Sequence, residues 1–177
     1  MKTYVALLRG INVVGKKLLP MADLRDLCGR IGLVEPVTYI QSGNVIFKTA
    51  FVPAKAGKLI RDEISSEFGY DISVLIRDQA FFRKVVKGNP FPDRDEKTLH
   101  LTMLSSVPHP DLVAGLIEAD YGADTLAVVD DVIYICCPDG YGRTKLHNNF
   151  FENKLKVSAT TRNWRTTGKL LDLASNH

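Results

Sequence analysis

Residues 36–49, PVTYIQSGNVIFKT, hold two β-rich runs joined around Ser42-Gly43. Gly43 supplies the turn conformations that other residues avoid, so the stretch reads as a β-hairpin. On its N-terminal side, MADLRDLCGRIG (21–32) follows Pro20. Its apolar residues Met21, Leu24, Leu27, Cys28 and Ile31 recur at three- and four-residue spacing, which predicts an amphipathic helix ending at Gly32. Before it, TYVALLR (3–9) reads as a strand. On the other side, PAKAGKLIRDEISSEFG (53–69) predicts a second helix with Pro53 early and Gly69 at its end, and DISVLIRD (71–78) a further strand. The order over 3–77 is therefore β-α-β-β-α-β, the ferredoxin-like arrangement of two interleaved βαβ halves in one antiparallel sheet.

The pattern then partly repeats. DQAFFRKVVKG (78–88) predicts a connecting helix, and the charged, turn-rich NPFPDRDE (89–96) marks a boundary. TLHLTMLS is a strand, HPDLVAGLIEADYG contains a helix, and DTLAVVD and VIYICCP form a hairpin across Asp130-Asp131. KLHNNFFENKL and TTRNWRTTGKLLDLA read as helices, which leaves the second half without an obvious final strand. The expected fold is α+β: a ferredoxin-like subdomain with connecting helix over 1–88, and a second, incomplete or modified one with C-terminal helices over 98–177. In the tail, Trp164, Gly168, Leu171 and Ala174 are expected to face the core. Arg162, Arg165, Lys169 and Asp172 are expected on another face, with Thr160 or Thr161 as N-cap.

The chain has 177 residues, 45% hydrophobic, which suits one compact domain or two small ones. No apolar run approaches the roughly 18 residues of a membrane span. The N-terminal apolar stretch is too short for a signal peptide, so no membrane association and cytoplasmic residence are expected. Cys28, Cys136 and Cys137 do not make a disulfide framework, and adjacent strand residues point to opposite faces, so buried, reduced thiols are expected. The formal charge of +3 is unevenly spread. Residues 1–48 carry +4, 49–142 carry −6 and 143–177 carry +5. Such asymmetry marks either a polyanion-binding face or basic ends packed on an acidic middle.

GINVVGKK (10–17) nearly spells a phosphate loop, but Lys17 stands where the magnesium-binding hydroxyl belongs, and LLP separates it from the helix. Nucleoside triphosphate hydrolysis through it is rejected. What remains is a basic loop rich in donors beyond a strand end, with Arg9, Asn12 and Lys16 as candidate ligand contacts. A second basic group, Arg143, Lys145, Arg162, Asn163 and Arg165, is the densest set of anion-capable side chains. Catalytic templates are absent: there is no G-x-S-x-G, no HExxH, and the four histidines lack metal spacing. No cofactor and no metal site are indicated. His147 alone is a weak candidate acid or base, and His100 is expected at the sheet surface.

LLRGINVVGKKLLPMADLR, YIQSGNVIF, NPF, GRTKL and ATTRNWRTTGKL together resemble the bacterial "domain of unknown function 1697" family, over nearly the whole chain. The resemblance implies two ferredoxin-like subdomains and brings no reaction, substrate or cofactor. Its motif positions are Arg9, Gly10, Asn12, Gly15, Ser42, Gly43, Asn44, Asn89, Pro90, Arg143, Lys145, Arg162, Asn163 and Trp164. The family's opening motif usually reads RGINVGGK. Val14 replaces one of its glycines, so a stiffer loop is expected. The functional expectation is binding of a phosphate-bearing or anionic ligand, a small molecule or nucleic acid. The alternatives are a small enzyme acting on an anionic metabolite, and a protein with no ligand whose basic motifs serve subdomain packing.

Overall fold

The computed structural model describes residues 1–177. The chain divides into two compact units, Met1–Arg83 with Lys169–His177, and Lys84–Gly168.

Unit 1 runs β1 (Lys2–Leu8), α1 (Met21–Arg30), β2 (Val34–Tyr39), β3 (Asn44–Thr49), α2 (Pro53–Phe68) and β4 (Val74–Asp78). Its sheet has the order β2-β3-β1-β4, and every neighbouring pair is antiparallel. Alternate strand residues Ala6, Leu8, Val45 and Phe47 pack with Leu24 and Leu27 of α1 and Ile60 and Ile64 of α2. Each of the larger of these side chains, the Val, Leu, Ile and Phe, contributes about 1.5–3 kcal/mol by leaving water. The predicted hairpin is β2–β3, with Tyr39 paired to Asn44 across a four-residue loop. Gly43 is fixed there for two reasons. Its φ is +77°, and a Cβ on it would lie 2.7 Å from Ile11 Cδ1 and 2.8 Å from Leu8 Cβ. Buried Asn44 closes the loop by donating from Nδ2 to Tyr39 O and Ser42 Oγ, both at 3.0 Å.

Unit 2 is entered through α3 (Gln79–Lys87), the expected connecting helix. It runs β5 (Leu99–Leu104), α4 (Pro110–Ile117), β6 (Thr125–Val129), β7 (Val132–Cys136), α5 (Asn148–Leu155) and β8 (Ala159–Asn163), followed by α6 (Trp164–Asn176). The sheet order is β6-β7-β5-β8, again all antiparallel. The second unit thus repeats the complete arrangement of the first, and the expectation of a missing last strand is corrected. Thr160 and Thr161 are β-branched and pair with Met103 and Thr102 of β5. They belong to a strand and do not cap a helix. The cap of α6 is Asn163, whose Oδ1 accepts Thr166 N–H at 2.8 Å. The helical pattern of the tail therefore begins four residues later than its first threonine. Trp164 and Ala174 are buried as expected, but Leu170, Thr166 and Thr167 fill the interior positions, and Leu171 is only partly covered.

Candidate functional site

The N-terminal candidates lie in unit 1, on the loop between β1 and α1. Residues 12–17 form a small finger in which Val13 and Lys16 bridge and Lys16 N–H donates to Val13 O at 2.9 Å. Its two turn residues, Val14 and Gly15, have φ of +47° and +72°, as a primed hairpin turn requires. Glycine accepts this; valine, β-branched, is strained by it. Val14 is also 93% exposed. The finger's base is closed by Asn12. Its Nδ2 donates to Leu19 O and Gln41 O, both at 2.9 Å, and its Oδ1 accepts Leu19 N–H at 2.8 Å. The Asn12 amide is thereby committed to holding the loop. Lys16 is exposed, while Lys17 Nζ donates to Asp71 O. Arg9 follows β1, half-buried, with its backbone N–H on Ser73 O. The lysines sit on a hairpin several residues before α1, so the rejected phosphate loop is absent in geometry as well.

In unit 2 the topology gathers one end of the sheet. β5 begins there, and β7 and β8 end there, as the pairs Leu99–Cys136 and His100–Asn163 require. The segment from Cys137 to Leu146 crosses this end and is pinned along its length. Cys137 N–H donates to Thr98 O at 2.9 Å. The ring of Tyr141 stacks on His100, centroids 4.4 Å apart and planes 19° from parallel. Leu146 is fully buried in the helix-side core. Between these anchors a 3-10 turn, Tyr141–Arg143, presents Arg143 and Lys145. His100 is accordingly not at an open surface. It lies under Tyr141, and its burial holds the imidazole pKa below its ordinary value. The neighbouring interior is polar: Thr102 and Thr161 hydroxyls meet at 2.7 Å, and Thr161 Oγ1 donates to Asn148 Oδ1 at 2.7 Å.

Opposite Arg143 stands the α4–β6 loop. Tyr121 OH donates to Leu116 O at 2.8 Å, and the Asp120 carboxylate accepts Gly122 N–H at 2.8 Å. The Tyr121 ring meets Phe150 edge-on at 5.9 Å. The two segments enclose a cleft of about 290 Å³ lined by Asp120, Tyr121, Asp124, Arg143, Lys145 and Leu146. A second cleft of about 230 Å³ adjoins it, sharing Tyr121, Asp124 and Arg143 and adding Asp139, Gly140 and Thr144. Lys84 and Asp130 form an ion pair in this unit, and His109 contacts Asp111, a charged pair only when the imidazole is protonated; Arg143 and Lys145 take part in neither. The acidic side chains of the clefts form no metal-binding group.

The other candidates of this unit, Arg162, Asn163, Arg165 and His147, line neither cleft. Arg162 lies in β8, not on an exposed helix face: it is only 8% exposed and lines neither cleft. Burial pushes its pKa down to about 10, and Nη1 donates to Thr161 O at 2.9 Å. Asn163 is the helix cap already described, and Arg165 is exposed on the first turn of α6. His147 caps α5, accepting Phe150 N–H on Nδ1 at 3.3 Å, so that nitrogen is occupied as an acceptor. The cysteines are free and buried, and desolvation raises the Cys28 and Cys137 thiols to about 12 and about 11. Sequence reasoning passed over Tyr121, Asp124 and Asp139. The only signal for them was two turn-rich loops placed on the same end by a βαββαβ order.

The fold is similar to that of the conserved bacterial protein SP0830 from Streptococcus pneumoniae, with a TM-score of 0.82 over 99% of both chains at 22% identity. No curated protein matches the sequence. The family model described as "Protein of unknown function (DUF1697)" matches residues 1–134, which include the Asp120–Asp124 wall of the cleft but stop short of Arg143 and Lys145; the chain belongs to this family.

Proposed function

We propose that this protein is a cytoplasmic binding protein for a small phosphate-bearing molecule of the nucleotide type, held in the Arg143–Lys145 cleft of unit 2. The observation that carries the reading is the placement of Arg143. It is shared by both clefts, lies two residues after Tyr141, whose ring stacks on His100, and takes part in neither the Lys84–Asp130 nor the His109–Asp111 pair. A guanidinium at that position offers planar, bidentate donors to a phosphate, and Lys145 adds a second charge. Asp120, Asp124 and Asp139 give the cleft its other character. Carboxylates accept from ribose hydroxyls or a base amino group, and Tyr121 offers a ring face. Three acidic residues beside two basic ones repel a continuous phosphate backbone. A compact ligand with one anionic end and several hydroxyl or amino donors therefore fits better than a nucleic-acid strand. Catalysis finds less support, because His147 has one ring nitrogen committed to capping α5.

The test is a thermal-shift screen with nucleoside monophosphates, sugar phosphates and short single-stranded DNA and RNA, at low and moderate salt. A ligand bound only by the native state raises Tm by mass action. The expected result is a saturable shift with a nucleoside monophosphate that survives moderate salt and disappears in Arg143→Ala. Shifts given only by the nucleic acids and erased by salt would replace this reading with backbone binding. No shift with any phosphate compound would refute it.

A further inference from the structure

We infer that the free edge of β6 is a docking site for an extended segment of another protein, one with alternating apolar residues flanked by Lys or Arg, which adds as a fifth strand to the unit 2 sheet. The inference rests on how differently the sheet edges are finished. An exposed edge presents unpaired N–H and C=O groups and is ordinarily blocked by proline, bulges or charge. β2, the corresponding edge in unit 1, has Pro36, a positive φ of 51° at Glu35 and a register shift between Val34 and Val37. β4 ends in Arg77-Asp78. On β8 the Ala159 N–H is taken by Glu152 Oε1 of α5 at 2.9 Å, and Arg162 interrupts the apolar pattern. β6 has none of these devices. Its sequence, TLAVV, is uncharged and free of proline, and pairs with β7 in unbroken register from Thr125–Cys136 to Val129–Val132.

The register decides which groups are open. Val129 and Val132 close a two-residue turn, so the hydrogen-bonded pairs alternate along the ladder and fall at Val129, Ala127 and Thr125. Leu126 and Val128 then direct their N–H and C=O away from β7. Their side chains sit against the helix-side core and are only partly covered. A docked strand would extend that apolar surface by one row.

Charge selects the occupant. Asp124 and Asp130 bracket β6 three residues on either side of Ala127. A second copy paired antiparallel about Ala127 would set Asp124 of each chain opposite Asp130 of the other, twice over, and like charges directly opposite are destabilising. A strand with basic residues at those positions meets carboxylates instead. Asp130 is at present paired with Lys84, an exposed contact that an incoming cation can displace at little cost.

The experiment uses the full chain and an amidated nine-residue peptide, Lys-Lys-Thr-Val-Thr-Val-Thr-Lys-Lys, followed by amide NMR. The expected result is saturable binding that moves the Leu126 and Val128 amide signals most. Replacing the four lysines by Glu should weaken binding about tenfold or more at low salt. Val128→Pro should abolish it while leaving the β7 ladder intact, because that N–H is not in the ladder. If this variant misfolds, N-methylation of alternate peptide residues removes the same hydrogen bonds from the ligand side and should also abolish binding. No binding at about 1 mM peptide, binding indifferent to N-methylation, equal binding of the Glu peptide, or a dimer joined through β6 in sedimentation would each overturn the inference.

Discussion

The two units share one topology and differ in nearly everything attached to it. In unit 1 the β1–α1 connection is a long loop with a protruding finger, and in unit 2 the corresponding β5–α4 connection is five residues, Ser105–His109. The unit 1 hairpin turns through Gly43, wedged against Ile11 and Leu8; the unit 2 hairpin turns through Asp130-Asp131, where Asp130 makes an exposed ion pair with Lys84. Unit 1 carries a formal +4 and unit 2 a formal −1. The basic tail residues 143–168 and most of the acidic middle segment share unit 2, so much of the charge asymmetry along the chain cancels within one fold. The repeated apolar alternation specifies the sheet and its helices. The loops, free of that constraint, carry what distinguishes the units.

The comparison breaks first at the two hairpin turns. Gly43→Ala forces a left-handed alanine onto two side chains under 3 Å away and should cost about 3 kcal/mol or more. Asp130→Gly, also at positive φ, should change stability by less than about 0.5 kcal/mol. Urea unfolding followed by circular dichroism measures both. The single tryptophan, Trp164, is buried beside Tyr134 in unit 2 and reports that unit separately by fluorescence. Equal effects at the two turns would remove the contrast. Next comes Asn12→Ala, which strands Leu19 N–H and unties the finger. A loss of about 1–3 kcal/mol is expected, with faster amide exchange at Leu19.

Smaller effects sharpen the picture of each unit. Thr160 has a buried hydroxyl with no hydrogen-bond partner, so Thr160→Val should raise stability by about 1 kcal/mol in the same urea experiment. His100 supplies a pH test. Its folded pKa lies below the ordinary value, so as pH falls through about 6.5 the unfolded chain takes up the proton first and stability declines. His100→Gln should remove that part of the decline between about pH 7.5 and pH 5.5; an unchanged slope would show that other groups set it. The smallest change belongs to Val14→Gly, which exchanges left-handed strain for backbone entropy and should alter stability by no more than about 1 kcal/mol in either direction.

Several of these positions could be read in advance, and the reasons others could not are physical. The hairpin at 36–49 was legible because glycine between two β-branched runs has few other uses. The strand at Ala159–Asn163 was not. Its residues sit directly before an amphipathic helix, whose periodicity runs on backwards through Arg162 by chance. Only pairing with β5 distinguishes the two. Arg162 then changed character with its element, from an exposed helix residue to a buried strand residue. Of the anion-capable side chains, the sequence singled out Arg143 and Lys145 but gave no means of ranking them above Arg162 or Asn12. Hydrogen bonding made the difference, since Asn12 is consumed by its own loop.

By itself the sequence determined the periodicities, and with them one complete βαββαβ pattern and a second lacking its last strand, the buried thiols expected of sparse cysteines, and the failure of the phosphate-loop motif. These are local properties: spacing of apolar residues, turn chemistry, and the identity of one residue in a motif. The tertiary structure alone decided which loops meet. Asp120–Asp124 and Arg143–Lys145 stand about twenty residues apart in sequence and form one cleft because antiparallel order returns β7 to the end from which β6 starts. It also decided which strands are edges. Both outcomes are long-range, fixed by burial of sheet faces against helices rather than by any preference that a short stretch of chain carries.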